Sequence, residues 1–147
     1  MSKPGRYPGV AFRFKVELDG LLVADFAEVS GLEAETEVQD VREGGVNEYE
    51  HHFITIRKYP PLVLKRGITD STQLWDWYEG TINGKLERKD GAIILMDASG
   101  QEICRWNFWE SYPIKWVGPQ LRADASEVAI ESLEIVHRGI TVGDNSG

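Results

Sequence analysis

At 147 residues, with a formal charge of −8, 41% hydrophobic and 27% charged, the chain has the size and mixture of one globular domain. A chain of that length buries roughly 70% of the surface it exposes when unfolded, so its core needs neither disulfide nor metal. The single cysteine, Cys104, excludes an intrachain disulfide, and the acidic balance disfavours a phosphate backbone as main partner, because such binding rests on Lys and Arg.

The N-terminal stretch MSKPGRYPGVAF has no apolar core of the secretory kind, and no run approaches the ~20 apolar residues of a membrane span. The chain is therefore expected to be made in the cytoplasm and to fold as one domain over residues 1–147, with no membrane anchor.

Residues 12–20, FRFKVELDG, alternate strictly, Phe12, Phe14, Val16 and Leu18 on one side and Arg13, Lys15, Glu17 and Asp19 on the other. Period two predicts a half-buried strand, and Asp19-Gly20 ends it with turn chemistry. In 26–45 the second half alternates again, with Glu33, Glu35, Glu37 and Gln39 opposite Ala34, Thr36 and Val38, until Gly44-Gly45 breaks it. Residues 46–52, VNEYEHH, have no period and read as a long polar loop. Strands are expected at 53–59 and 62–67, separated by Pro60-Pro61.

The stretch VLKRGITDSTQLWDWYEG, 63–80, runs a strand into a capped helix. Asp70 is the expected N-cap with Gln73 as its capping-box partner, and Gly80 the expected stop. Leu74, Trp77 and Tyr78 share the packing face, opposite Gln73, Asp76 and Glu79. Beyond it, strands at 92–97 and 102–109 flank the hairpin signal Ala98-Ser99-Gly100. A proline-bounded strand follows at 112–119, and a last one at 127–140. There Val128 and Ile130 give way to Leu133, Ile135 and His137, a phase slip that predicts a β-bulge near Glu131-Ser132. The pattern as a whole predicts a mainly β fold, an antiparallel sandwich or partial barrel with one short helix.

Chemistry-bearing residues are sparse. Neighbouring His51 and His52 point to opposite faces of an extended chain and make a poor chelating pair, even beside Glu48 and Glu50. Cys104 alternates with Trp106 and reads as core, and His137 as a structural histidine. There is no phosphate-cradling glycine loop and no paired-histidine metal motif, so neither catalytic nor metal-binding residues nor a cofactor are expected. The five tryptophans leave a carbohydrate-binding sandwich as an alternative, because Trp106 and Trp109, three apart on a strand, face opposite ways and one could be exposed.

The segments FAEVSGLEAE (26–35), VREGGVNEY (41–49), LVLKRGITDSTQLWDWY (62–78), ILMDASGQEICRWNFWESYPIKWVGP (94–119) and EVAIESLEIVHRG (127–139), in that order, resemble the tail tube proteins of contractile phages and of phage-like contractile injection systems. Two departures stand out: HHFITIRKY where the family commonly has a Leu-Pro-Gly-like turn, and His137-Arg138-Gly139 where it often has His-Glu-Gly.

The resemblance implies a structural subunit, not an enzyme, forming hexameric rings that stack into a hollow tube. Implied partners are further copies, a sheath protein, and baseplate or tube-initiator proteins that share the fold. The transported cargo would be DNA or protein, and the setting a phage tail or an injection particle assembled in or released from a bacterial cell. Within that picture Glu33, Glu35 and Glu37 are candidates for lining an acidic lumen, which would discourage a polyanion from sticking. The aperiodic stretch Gly44, Gly45, Val46, Asn47, Glu48, Tyr49, Glu50, His51 and His52 is the candidate loop against a neighbouring subunit.

Overall fold

A computed structural model of the chain describes residues 12–19, 21–42, 50–124 and 129–143, with 21–25, 39–42 and 50–56 as backbone. Among them ten strands and one helix follow in chain order: β1 (Arg13–Leu18), β2 (Leu21–Phe26), β3 (Glu28–Ser30), β4 (Glu35–Arg42), β5 (Glu50–Lys58), β6 (Leu62–Gly67), α1 (Gln73–Ile82), β7 (Lys89–Met96), β8 (Glu102–Val117), β9 (Ile130–Val136) and β10 (Ile140–Val142). All strand pairs are antiparallel. Eight strands form one sheet in the order β2-β1-β7-β8-β9-β6-β3 with β10 also on β8, while β4 and β5 stand apart as a two-stranded ribbon.

The large sheet becomes a sandwich because β8 turns a corner. Its first part pairs with β7 and β10, and from Tyr112 onward it pairs with β9. The sequence predicts two strands here; the chain makes one of 16 residues, bent at Glu110. Glu110 takes a left-handed φ of 51°, an uncommon conformation for a residue with a side chain. Its backbone N–H donates to the Asp90 carboxylate at 2.9 Å, and the buried Ser111 hydroxyl donates to the Lys89 carbonyl at 2.6 Å. The first pairs a backbone N–H at the bend, and the second satisfies a hydroxyl that would otherwise be buried unpaired.

Between the layers lie Val16, Leu18, Phe26, Leu62, Leu64, Leu74, Trp77, Ile93, Phe108, Leu133 and Ile135. Leu74 and Trp77 come from α1, whose Tyr78 packs at the edge of the same cluster. The helix starts later than its sequence suggests, at Gln73 rather than after Asp70, with Thr72 at the boundary donating to Asp76 at 2.9 Å. It also runs through Gly80. The stop is Gly84, at φ 86°, where Gly84 N–H bonds the Thr81 carbonyl at 3.3 Å and Lys85 N–H bonds the Gly80 carbonyl at 2.8 Å. That pair of bonds is a Schellman cap, and it needs glycine just past the C-cap residue Asn83, not inside the helix.

The bulge expected at Glu131-Ser132 is absent. Strand β9 pairs with β6 in unbroken register, and Glu131, Leu133 and Ile135 are its inward row. A carboxylate sits at a core position, which is why the apolar pattern seemed to slip. It bonds Arg66 Nε at 2.7 Å and Trp116 Nε1 at 3.1 Å, with Arg66 and Glu131 side chains only 6% and 5% exposed. The irregularity lies across the ladder, in β8 between Pro113 and Lys115.

Candidate functional site

The ribbon is the part of the molecule that its own core does not explain. Strands β4 and β5 pair from Glu35↔Lys58 to Arg42↔Glu50, with a register shift at Glu37/Val38 that adds twist. Alternation in 33–38 predicted one wet face and one packed face; instead every residue from Glu33 to Val38 is exposed. Val38 is 51% exposed. A two-stranded ribbon exposed along its described β4 side chains has little of its own to hold it in water, since an isolated ribbon is marginal at best.

The expected polar loop is shorter than its sequence suggests. Glu50, His51 and His52 belong to β5, opposite Arg42, Val41 and Asp40, because the strand ladder carries past the aperiodic letters. Gly44, Gly45, Val46, Asn47, Glu48 and Tyr49 lie outside the described residues. The glutamate row is split between the lead-in, Glu33, and the strand, Glu35 and Glu37. It is not purely acidic, since Glu37 pairs with Lys58 at 3.5 Å.

At its base the ribbon is fastened by close backbone contact. Gly31, at φ 94°, lies so near Pro61 that a Cβ there would collide with the Pro61 carbonyl. Beside it Glu33, Ala34, Glu35, Lys58, Tyr59 and Pro60 line an open cleft of about 720 Å³. Behind the cleft Tyr59 meets the His137 ring at 5.3 Å, and His137 in turn meets Phe108 at 6.1 Å.

Among the described residues the three-residue strands β3 and β10 and the strand β2 end the sandwich's ladders, and beyond the corner β8 pairs on one side only. Ile114 and Val117 on that stretch are 45% and 43% exposed, and Val142 on β10 is 69% exposed. Unpaired edges with apolar side chains are templates for another chain.

Among the described residues, no group of three His, Cys, Asp or Glu is placed to hold a metal. All five tryptophans are buried or half-buried, so no exposed indole awaits a sugar ring. Trp75, which the sequence leaves without a role, stacks edge-on against Trp116 at 4.9 Å and carries α1 onto β8. Cys104 is half-buried. No described helix is long and apolar enough to cross a membrane.

Residues 10–141 match the family described as T4-like virus tail tube protein gp19. The chain belongs to that family. Solved structures with the same fold include one of the anti-feeding prophage (AFP) baseplate, 6-fold symmetrised, at 24% identity and TM-score 0.76, covering 99% of both chains. Another is the PVC sheath-tube complex of an extracellular contractile injection system, at 22% identity and TM-score 0.78, covering 97% of this chain and 98% of that one. Hcp1 from Flavobacterium johnsoniae follows at 18% identity and TM-score 0.60, covering 89% and 94%. No curated protein matches the chain in sequence.

Proposed function

We propose that this tail tube protein is a structural subunit, not an enzyme, of the inner tube of a contractile tail or contractile injection system. Copies join edge to edge into hexameric rings, and rings stack around a conduit for DNA or protein cargo. The observation that carries this reading is the β4–β5 ribbon, paired within itself and exposed throughout its described β4 side chains. Such a ribbon gains its missing contacts from a second copy. The fold shared with chains of a sheath-tube complex and of a 6-fold symmetrised baseplate supports sheath and baseplate proteins as partners.

In the tube, the segment from Gly44 to His52 meets a neighbouring subunit, and Glu33, Glu35 and Glu37 face the lumen. The setting is a phage tail or an injection particle built in a bacterial cell. Sedimentation and electron microscopy of purified protein test the reading: rings or tubes are expected, on their own or on a nucleating baseplate. A monomer at every concentration, with a nucleus offered, would refute it. The AFP baseplate match favours one second reading, a tube-initiator or baseplate paralogue; labelled subunits would then sit at one end of a tube rather than along its length.

A further inference from the structure

His137 is the one described histidine whose side chain is placed, and tube formation gives it no task. Both of its ring nitrogens are closed off from solvent and neither has a hydrogen-bond partner. A neutral imidazole always carries one N–H and one acceptor, so this ring buries two polar sites unsatisfied. Buried polar groups are rarely left so, and an orphaned one marks strain or a role.

Its position gives the role. The ring lies just past the end of β9, between Phe108 of the core and Tyr59. Tyr59 is the first residue after β5 and borders the cleft at the ribbon's base. The histidine is thus wedged between the sandwich and the stem of the ribbon.

We propose that His137 is a pH-sensitive clasp: neutral, it holds Tyr59 and the ribbon base against the sandwich, and protonated, it lets that base loosen. A cation there is stripped of water between two rings, and the nearby Gly139 and Pro60 carbonyls offset that cost only in part. Opening at the half-buried Tyr59 would admit water, because the ring's other neighbour, Phe108, lies in the core.

The surroundings favour this direction. Burial pushes the His137 ring below the ordinary histidine range, and the nearby carbonyls of Gly139 and Pro60 only partly oppose it, forming no bond of good geometry. From β5 and its connector the facing groups are the Tyr59 phenol and, further out, Lys58, which is paired with Glu37. Glu33 and Glu35 stand exposed around the cleft on the lead-in to β4. From β8 the nearby charge is Glu110, and from the chain after β9 it is Arg138; those two pair with each other at 3.7 Å on the surface. A carboxylate able to hold an imidazolium in place is therefore not among the groups touching the ring.

The sign follows from linkage. A folded-state value below the unfolded one means that the opened state binds the proton more readily. The clasp is then fully closed above the ordinary histidine range and weakens as pH falls through it toward the folded value.

Hydrogen exchange read by mass spectrometry, corrected for the intrinsic pH dependence of amide exchange, tests the clasp in the protein as purified, assembled or not. Between about pH 7.5 and about pH 5.5, the amides of Arg57, Lys58 and Tyr59, the exchanging positions of segment 57–61, should lose protection by about 10-fold, while β7 stays unchanged. His137→Phe should keep that segment protected at both ends of the range. Wild-type protection at 57–61 that is the same across the range overturns the proposal without any variant. So does an acid response that survives in His137→Phe or that is shared equally by β7.

Discussion

The connector Tyr59–Pro61 joins two strands that live in different surroundings. Upstream, β5 pairs with a β4 whose described side chains all stand in solvent. Downstream, β6 alternates buried and half-buried residues, with Leu62 and Leu64 at 0% exposure. One chain thus carries a sandwich that completes its own core and a ribbon that does not. The difference teaches where stability and assembly reside: substitutions in the sandwich should change folding, and substitutions in the ribbon should change association.

The largest expected effect is in the sandwich. Trp77→Ala removes a 6% exposed indole and its 3.0 Å bond to the Glu87 carbonyl, and should lower unfolding free energy by ~3–5 kcal/mol in a denaturant titration. A loss under ~1 kcal/mol would mean that α1 is not part of the core.

Next comes the buried ion pair. Glu131→Gln leaves Arg66 charged and uncompensated and should cost about 3 kcal/mol. The double change Arg66→Met with Glu131→Leu should restore most of that stability, because the pair's desolvation cancels much of its attraction. Equal losses in single and double variants would show that the pair contributes more than its apolar replacement.

A smaller effect belongs to the β7–β8 hairpin. Asp97 Oδ1 accepts from Ser99 Oγ at 2.7 Å and from the N–H groups of Ser99 and Gln101, each at 3.0 Å. The Ser99 hydroxyl, then the Gln101 N–H, hold the Asp97 carboxyl below the usual aspartate range. Its stabilisation is present above that range and fades as pH falls through it. Asp97→Asn should flatten this acid-side loss in thermal melts; an unchanged acid limb would assign it to other carboxylates.

Smallest on stability is Val38→Thr in the ribbon, expected to stay within about 0.5 kcal/mol while reducing tube formation. Destabilisation comparable with Trp77→Ala would break the contrast between ribbon and sandwich.

How far these parts were legible in the sequence differs residue by residue. Phe14, Val16 and Leu18 alternate because one face of β1 packs, and the Asp97–Gly100 turn is written in its own side chains. Leu74 and Trp77 share a helical face and enter the core together. Glu131 misled the pattern because a buried carboxylate scores as exposed until its partner, Arg66, is seen 65 residues away. Gly80 looked like a stop because cap geometry, not glycine alone, ends a helix. The bend at Glu110 was hidden because the side chains that stabilise it, Asp90 and Ser111, act across a strand pair. The ribbon escaped for a deeper reason: alternation reports that two faces differ, not that either one is covered within the same chain.

Photo-crosslinking from two positions tests the central claim most directly. A photoreactive residue at Val38 in the exposed ribbon should give chain-to-chain products in the assembled particle, and one at Ile94, 0% exposed in the sandwich, should give only products within a chain. Tubes that form normally while Val38 yields no chain-to-chain product would contradict the account that neighbouring copies cover the ribbon.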